Sequence, residues 1–210
     1  MIPVKICGIT NPDDALYAAN VGASAVGFIF FKKSPRAISL LKASKITSVL
    51  SPKLKKVGVF VNHSRDFIEK AIRFVPLDII QLHGKETPEF CSGFSVPVIK
   101  AFRLKNRDTL STINDFAVHA FLVDTWQDGE FGGTGKTFDW SLLNNYSGEI
   151  PMILSGGLNP ENVLEAVKAV RPAAIDINSG VETLPGQKNK HKLWALFQQI
   201  KATENTGFQF

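Results

Sequence analysis

Thiols are scarce in this chain: it has two cysteines, Cys7 and Cys91, among 210 residues. That excludes a disulfide framework, because two thiols in a chain of this size rarely make a structural bridge. The four histidines (His63, His83, His119, His191) lie far apart, and no Cys or His pair has metal-ligand spacing, so no metal site is expected. Long apolar runs are missing too. None approaches the ~20 residues that span a bilayer. The opening MIPVKICGIT lacks the basic and long apolar segments of a secretory leader, and the expectation is a cytoplasmic protein without membrane contact. Blocks of one charge are also absent. The net charge is +5, yet lysines and arginines are scattered, and the densest group (Lys53, Lys55, Lys56) reads as a solvated loop. No basic stripe is interleaved with aromatics, so nucleic acid is not an expected partner. A basic balance suits an anionic small molecule instead.

What is present is a regular alternation. Short apolar runs at Val4–Ile9, Ala25–Phe30, Val57–Val61, Ile79–Leu82, Val96–Phe102, Ala120–Val123, Met152–Leu154 and Ala173–Ile177 read as strands. They are near-continuously apolar, as strands covered on both faces must be. Helical-period segments lie between them. Asn11-Pro12 precedes Ala15, Ala18, Ala19 and Gly22 at helical spacing. Asn159-Pro160 reads as an N-cap with proline at the first helical position, before Val163, Ala166, Val167 and Val170. Leu193, Leu196, Phe197 and Ile200 repeat the pattern, and Phe67, Ala71 and Phe74 do so more weakly. The helices after Leu82 and after Trp140 look short. Eight strand–helix units in this length point to one α/β domain over residues 1–210, a single compact (β/α)8 TIM barrel. A doubly wound sheet is the rival, but the first strand ends in Cys7-Gly8-Ile9-Thr10 with no dinucleotide-type glycine turn. The tail from about Thr203 reads as loose.

Barrel enzymes work at the C-terminal ends of their strands, and that rule filters the candidates. Cys7 ends the first strand. A cysteine in an apolar run is commonly inert core, but at this position it is a candidate nucleophile or base, and Lys5 could stabilise its thiolate if it faces the same way. Cys91 falls within a helix expected over Thr87–Ser92 and reads as structural. Asp124 follows three apolar residues; it either caps a backbone group or serves a site, where partial burial would raise its pKa toward general-acid work. Ser155-Gly156-Gly157 and Asn178-Ser179-Gly180 follow the seventh and eighth strands, where such barrels bind phosphate. Gly132-Gly133-Thr134-Gly135-Lys136 reads as a mobile loop over the site. Arg36, after the second strand, is either a surface arginine or a carboxylate clamp.

Together these stretches resemble the phosphoribosylanthranilate isomerase family over nearly the whole chain. The resemblance is carried by Val4–Thr10, Gly27–Phe30 through Ser34-Pro35-Arg36, Gly58–Asn62, Gln81–Gly84, Gly132–Gly135 through Phe138–Trp140, Ser155–Leu158 and Asp176–Glu182. It implies an aldose–ketose isomerase of tryptophan biosynthesis that performs an Amadori rearrangement of N-(5-phosphoribosyl)anthranilate. Asp124 would protonate the ribose ring oxygen as general acid, and Cys7 would remove the C2′ proton as general base. Arg36 would bind the anthranilate carboxylate. Gly156, Gly157, Ser179 and Gly180 would bind phosphate, Asp176 would bind substrate, and His83 would line the pocket or support it. The resemblance implies no cofactor and no metal, and leaves monomer and homodimer both open. Two rivals stay in view: a Schiff-base enzyme on the same barrel using Lys5 or Lys100, and a phosphate-ligand binding module.

Overall fold

The computed structural model describes residues 1–104, 112–125, 140–143, 146 and 148–210. Eight parallel strands close into a barrel in sequential order. They are β1 (Val4–Ile6), β2 (Ala25–Ile29), β3 (Lys55–Phe60), β4 (Ile79–Leu82), β5 (Val98–Leu104), β6 (Ala120–Thr125), β7 (Met152–Leu154) and β8 (Ala174–Ile177). Every expected strand is found within a few residues of its expected bounds. The Gly132–Lys136 segment lies outside the described residues.

The strands form because their side chains are wanted on both faces. Inward residues Ala25, Val57, Ile79, Ile99, Ala101, Ala120, Leu122, Ile153 and Ala174 fill the barrel interior. Their neighbours Val4, Ile6, Val26, Phe28, Phe60, Ile80, Phe121, Leu154 and Ile175 face the surrounding helices. Successive residues of a strand point to opposite faces, so the sequence supplies apolar groups at every step.

The helices start where Asn, Ser or Thr can satisfy orphan N–H groups. Asn11 caps α1 (Pro12–Val21), which Gly22 closes in the left-handed conformation. Ser39 caps α2 (Leu40–Thr47), Ser64 caps α3 (Arg65–Phe74), and Thr87 caps the single turn α4 (Pro88–Cys91). Two details differ from expectation. The buried face of α3 runs through Ile68, Ala71 and Ile72, while Phe74 is exposed. After β7, the helix α5 (Val163–Val170) starts at Asn162, three residues beyond Asn159-Pro160. The Asn159 side chain instead takes the N–H groups of Glu161 and Asn162, capping the turn that leads into the helix.

After β8 comes a hairpin, β9 (Glu182–Leu184) with β10 (Gln187–Lys188), and then α6 (Lys190–Ile200). The tail is not loose, as its polar start suggested. Phe210 is buried with the interior residues at the N-terminal end of the barrel, and Phe208 packs on Phe210 and on His119. His119 Nε2 lies 2.8 Å from the Gln209 carbonyl, and Thr206 Oγ1 donates to the Ala173 carbonyl at 2.6 Å. Two aromatic side chains that can cover the small alanines at the barrel base outweigh the polar residues around them.

Candidate active site

The C-terminal ends of the strands surround one cavity. Its lining includes Cys7, Arg36, His83, Arg103, Asp124 and Asp176, together with both glycine loops. The site residues expected from the sequence are therefore gathered in one place.

Cys7 follows β1 and points inward, two residues after the inward Lys5. Its sulfur fits because β2 has a glycine beside it. A Cβ at Gly27 would lie 2.8 Å from the sulfur and 3.1 Å from Lys5 Cε. Lys5 is fully buried, and its Nζ lies 2.8 Å from Asp176 Oδ2 across the β1–β8 pairing. Burial pushes the Cys7 thiol above its ordinary pKa, while the Lys5 and Lys188 ammoniums pull it down and Asp176 pushes it up. Burial also acts to lower the pKa of Lys5, but Asp176 and then Cys7 more than offset it, and Lys5 stays firmly protonated. Asp176 Oδ1 is buried with no hydrogen-bond partner among the described residues. Such an acceptor, in the lining of a cavity, is suited to a ligand hydroxyl.

Asp124 lies on β6 with its carboxylate buried. His83 Nε2 is 3.3 Å from Asp124 Oδ2. The His83 Nδ1 is 3.0 Å from the Gln81 amide nitrogen. That nitrogen can only donate, so Nδ1 accepts and the ring proton of neutral His83 sits on Nε2, facing Asp124. His83 thus lines the cavity with its Nε2 edge toward the Asp124 carboxylate.

Arg36 is not a loose surface arginine. Its Nε lies 3.0 Å from both Glu182 oxygens, and its Nη2 is 2.7 Å from Glu182 Oε2. Glu182 also accepts from Lys188 Nζ at 2.9 Å and from the Gly186 N–H at 3.1 Å. Burial would raise the Glu182 pKa, but the Arg36 hydrogen bonds and Lys188 hold it below the ordinary carboxylate range. The Lys188 ammonium is lowered by burial despite Glu182. One carboxylate thus stands between two cations, of which Arg36 borders the cavity.

The two glycine loops need glycine for different reasons. Gly156 and Gly157 have φ of 90° and 66°, which side-chain-bearing residues rarely adopt. The Gly157 carbonyl is held by Asn159 Nδ2 at 3.3 Å and by Asn162 Nδ2 at 3.0 Å. Gly180 sits in the 3-10 turn Ser179–Val181, and a Cβ there would run into the Leu158 carbonyl oxygen. The two loops pack directly on each other and line the same cavity.

Lysine chemistry finds little support. Lys100 faces away from the barrel interior and donates to the carbonyls of Leu82, Gly84 and Ala101 and to Glu86 Oε2 at 3.0 Å. Lys5 is locked to Asp176. Cys91 is buried in α4, and burial lifts its pKa to about 11, which leaves it an inert thiol at neutral pH. Among the described residues, no group of three His, Cys, Asp or Glu side chains is arranged to hold a metal.

The sequence pointed to Arg36 without its anchor, and Glu182, Lys188, Gln81 and Gly27 received no role. Glu182 and Gly27 sit inside stretches that carried the resemblance. Gln81 shows the inward parity of a polar residue in an apolar strand, which was a usable signal. Lys188 gave none.

An acid and a thiol on opposite sides of a barrel mouth, with glycine loops after the seventh and eighth strands, define the class: a (β/α)8-barrel enzyme for a small phosphorylated substrate. Residues 4–199 match the family model for N-(5'phosphoribosyl)anthranilate (PRA) isomerase, and the chain belongs to that family. It is 43% identical over 201 residues to the N-(5'-phosphoribosyl)anthranilate isomerase of Citrifermentans bemidjiense, covering 96% of this chain and 98% of that one. It is 47% identical over 199 residues to that of Neisseria gonorrhoeae, covering 92% and 94%. Among solved structures, phosphoribosyl anthranilate isomerase from Thermotoga maritima superposes with a TM-score of 0.89 at 42% identity, covering 96% of this chain and 99% of that one. A structure of phosphoribosyl anthranilate isomerase in complex with reduced 1-(o-carboxyphenylamino)-1-deoxyribulose 5-phosphate gives a TM-score of 0.85 at 40% identity over the same shares.

Proposed function

We propose that this chain isomerises N-(5'-phosphoribosyl)anthranilate to 1-(2-carboxyphenylamino)-1-deoxyribulose 5-phosphate in tryptophan biosynthesis, with Asp124 as general acid and Cys7 as general base. The observation that carries this assignment is that the two groups front one cavity from β6 and the end of β1. That separation suits work on different atoms of one sugar. Asp124 gives a proton to the ribose ring oxygen as the C1′–O bond breaks, and the anilino nitrogen supplies the electron pair that forms the iminium. The Cys7 thiolate then takes the C2′ proton. The C–H pair becomes the C1′–C2′ double bond, the iminium pair returns to nitrogen, and the enolamine tautomerises to the ketone. Proton transfer from each group contributes typically 10²–10⁴-fold.

Gly156, Gly157, Ser179 and Gly180 hold the phosphate through backbone N–H groups. Arg36 meets the anthranilate carboxylate with the edge that Glu182 leaves open. Asp176 takes a sugar hydroxyl on Oδ1, and His83 keeps Asp124 in place. The substrate's own nitrogen is the electron sink, and this scheme uses no cofactor or metal. The chain acts in the cytoplasm as a single barrel domain, either as a monomer or as a homodimer; the described residues contain no helix long and apolar enough to cross a membrane. The test is the loss of substrate fluorescence with Cys7→Ala and Asp124→Ala. Each variant should fold and lose at least about 100-fold in kcat. Wild-type turnover by either one removes that residue from the scheme.

A further inference from the structure

The thiol poses a problem of charge. Cys7 is buried, and burial alone holds its proton on, so a base at this position needs a fixed cation. Several charged groups surround the sulfur. From β1 comes Lys5, from β8 Asp176, and from the hairpin Lys188 with its partner Glu182. Arg36 approaches from the loop after β2, where its Cδ would lie 2.9 Å from a Cβ at Gly8. Asp124, His83 and Arg103 line the same cavity as the sulfur. Arg36 and Lys188 are both committed to Glu182. Lys5 shares the strand and the inward face with Cys7, and its charge favours the thiolate. The same added Cβ at Gly27 would touch both side chains, so sulfur and Lys5 methylene border one small space.

We infer that Lys5 is a positioning residue of the isomerisation: its ammonium, pinned by Asp176, lies against the Cys7 sulfur and stabilises the thiolate that takes the C2′ proton. The inference rests on the reading of Cys7 as base. The thiol loses its own proton to solvent before substrate is committed. The thiolate then accepts the C2′ proton and returns it as the enolamine collapses, so Lys5 neither gains nor loses a proton. Its contribution is a charge that cannot move away, because the strand on either side and the carboxylate of Asp176 fix it.

The experiment measures iodoacetamide labelling of Cys7 in the intact protein against pH, with mass spectrometry separating Cys7 from Cys91. In Lys5→Met the labelling inflection should rise by about 1–3 pH units, the span that one adjacent opposite charge produces. At neutral pH kcat should fall by about tenfold or more, recover as pH rises, and leave KM near its wild-type value. A structural role alone would lower activity without moving the inflection. An unchanged inflection in a folded Lys5→Met protein overturns the inference. If the stranded Asp176 carboxylate prevents folding, Lys5→Met/Asp176→Asn removes both charges. Because the Lys5 side chain borders the sulfur directly, the inflection should still rise, and a wild-type inflection there overturns the inference as well. Cys7→Ala separates the two readings: full turnover by that variant sinks the base, whereas an unmoved labelling inflection sinks Lys5.

Discussion

Gly27→Ala is the sharpest probe of how the site is packed, because it adds one carbon and changes no charge. The new Cβ would stand 2.8 Å from Cys7 Sγ and 3.2 Å from the Cys7 Cα. Comfortable contact between such atoms begins near 3.5–4.0 Å, so the sulfur must retreat by about 1 Å or β1 must move. The backbone atom cannot yield alone, since β1 is paired on both sides, to β2 and to β8. Overpacking of this kind costs about 1–3 kcal/mol. Replacing glycine in an unstrained strand position returns about 0.4–1 kcal/mol through the unfolded state, leaving a net loss of about 0–2.5 kcal/mol. Turnover should suffer far more, because a misplacement of about 1 Å at a reacting group can cost about 100-fold. The assays are urea unfolding for stability and fluorescence for kcat and KM. The expected pattern is a folded protein with kcat down by about two orders of magnitude and KM little changed. A variant with kcat within about threefold of wild type, at unchanged stability, would refute the packing argument.

Four further outcomes follow from the same geometry. Glu182→Gln removes the carboxylate that orients Arg36 and balances Lys188; it should raise KM by about tenfold or more, since hydrogen bonds between charged groups contribute about 1.5–3 kcal/mol, while kcat changes less. Phe210→Ala uncovers the barrel base and should cost about 2 kcal/mol, a drop of about 4–8 °C in Tm by calorimetry, with turnover intact because the site lies at the opposite end. For Glu86, burial raises the pKa but Lys100 and the Asn62 N–H lower it further, so the folded value lies below the unfolded one. Its stabilisation is therefore complete above the unfolded value of about 4.3 and is lost as pH falls through the folded value; Glu86→Gln should flatten the acid limb of the unfolding curve and, by stranding buried Lys100, cost about 3–5 kcal/mol at neutral pH. Cys91, with its pKa near 11, should resist alkylation at neutral pH and become reactive only as the pH approaches that value, which peptide mapping after brief iodoacetamide treatment reads directly.

The strands were legible because a parallel barrel demands apolar groups on both faces, and runs such as Ala120–Val123 meet that demand without interruption. Helix starts were legible where a capping side chain acts on its own turn, as at Asn11. Asn159 misled for a related reason: the same side chain closes a turn just as well as it caps a helix. Cys7, Asp124 and the glycine loops stood out by their place at strand ends. What stayed hidden depends on partners far away in sequence. Glu182 meets Arg36 across 146 positions, and Lys188 reaches its partners only after the hairpin folds back. Gly27 has a meaning only once the sulfur of Cys7 is next to it. The tail carried phenylalanines, but nothing local says that a barrel base awaits them.

The inward alternation of β1 has a further consequence for how this site can vary. Lys5 and Cys7 face the interior because their positions share one parity, and Val4 and Ile6 face the helices because they share the other. A deletion or insertion of one residue before Lys5 would exchange the two sets. It would put an ammonium and a thiol among the apolar side chains of α1 and α6, and isoleucine at the mouth of the cavity. Fold and chemistry would be lost in the same event. Length changes are thus confined to the loops, and the strand can drift only by substitution, one face at a time.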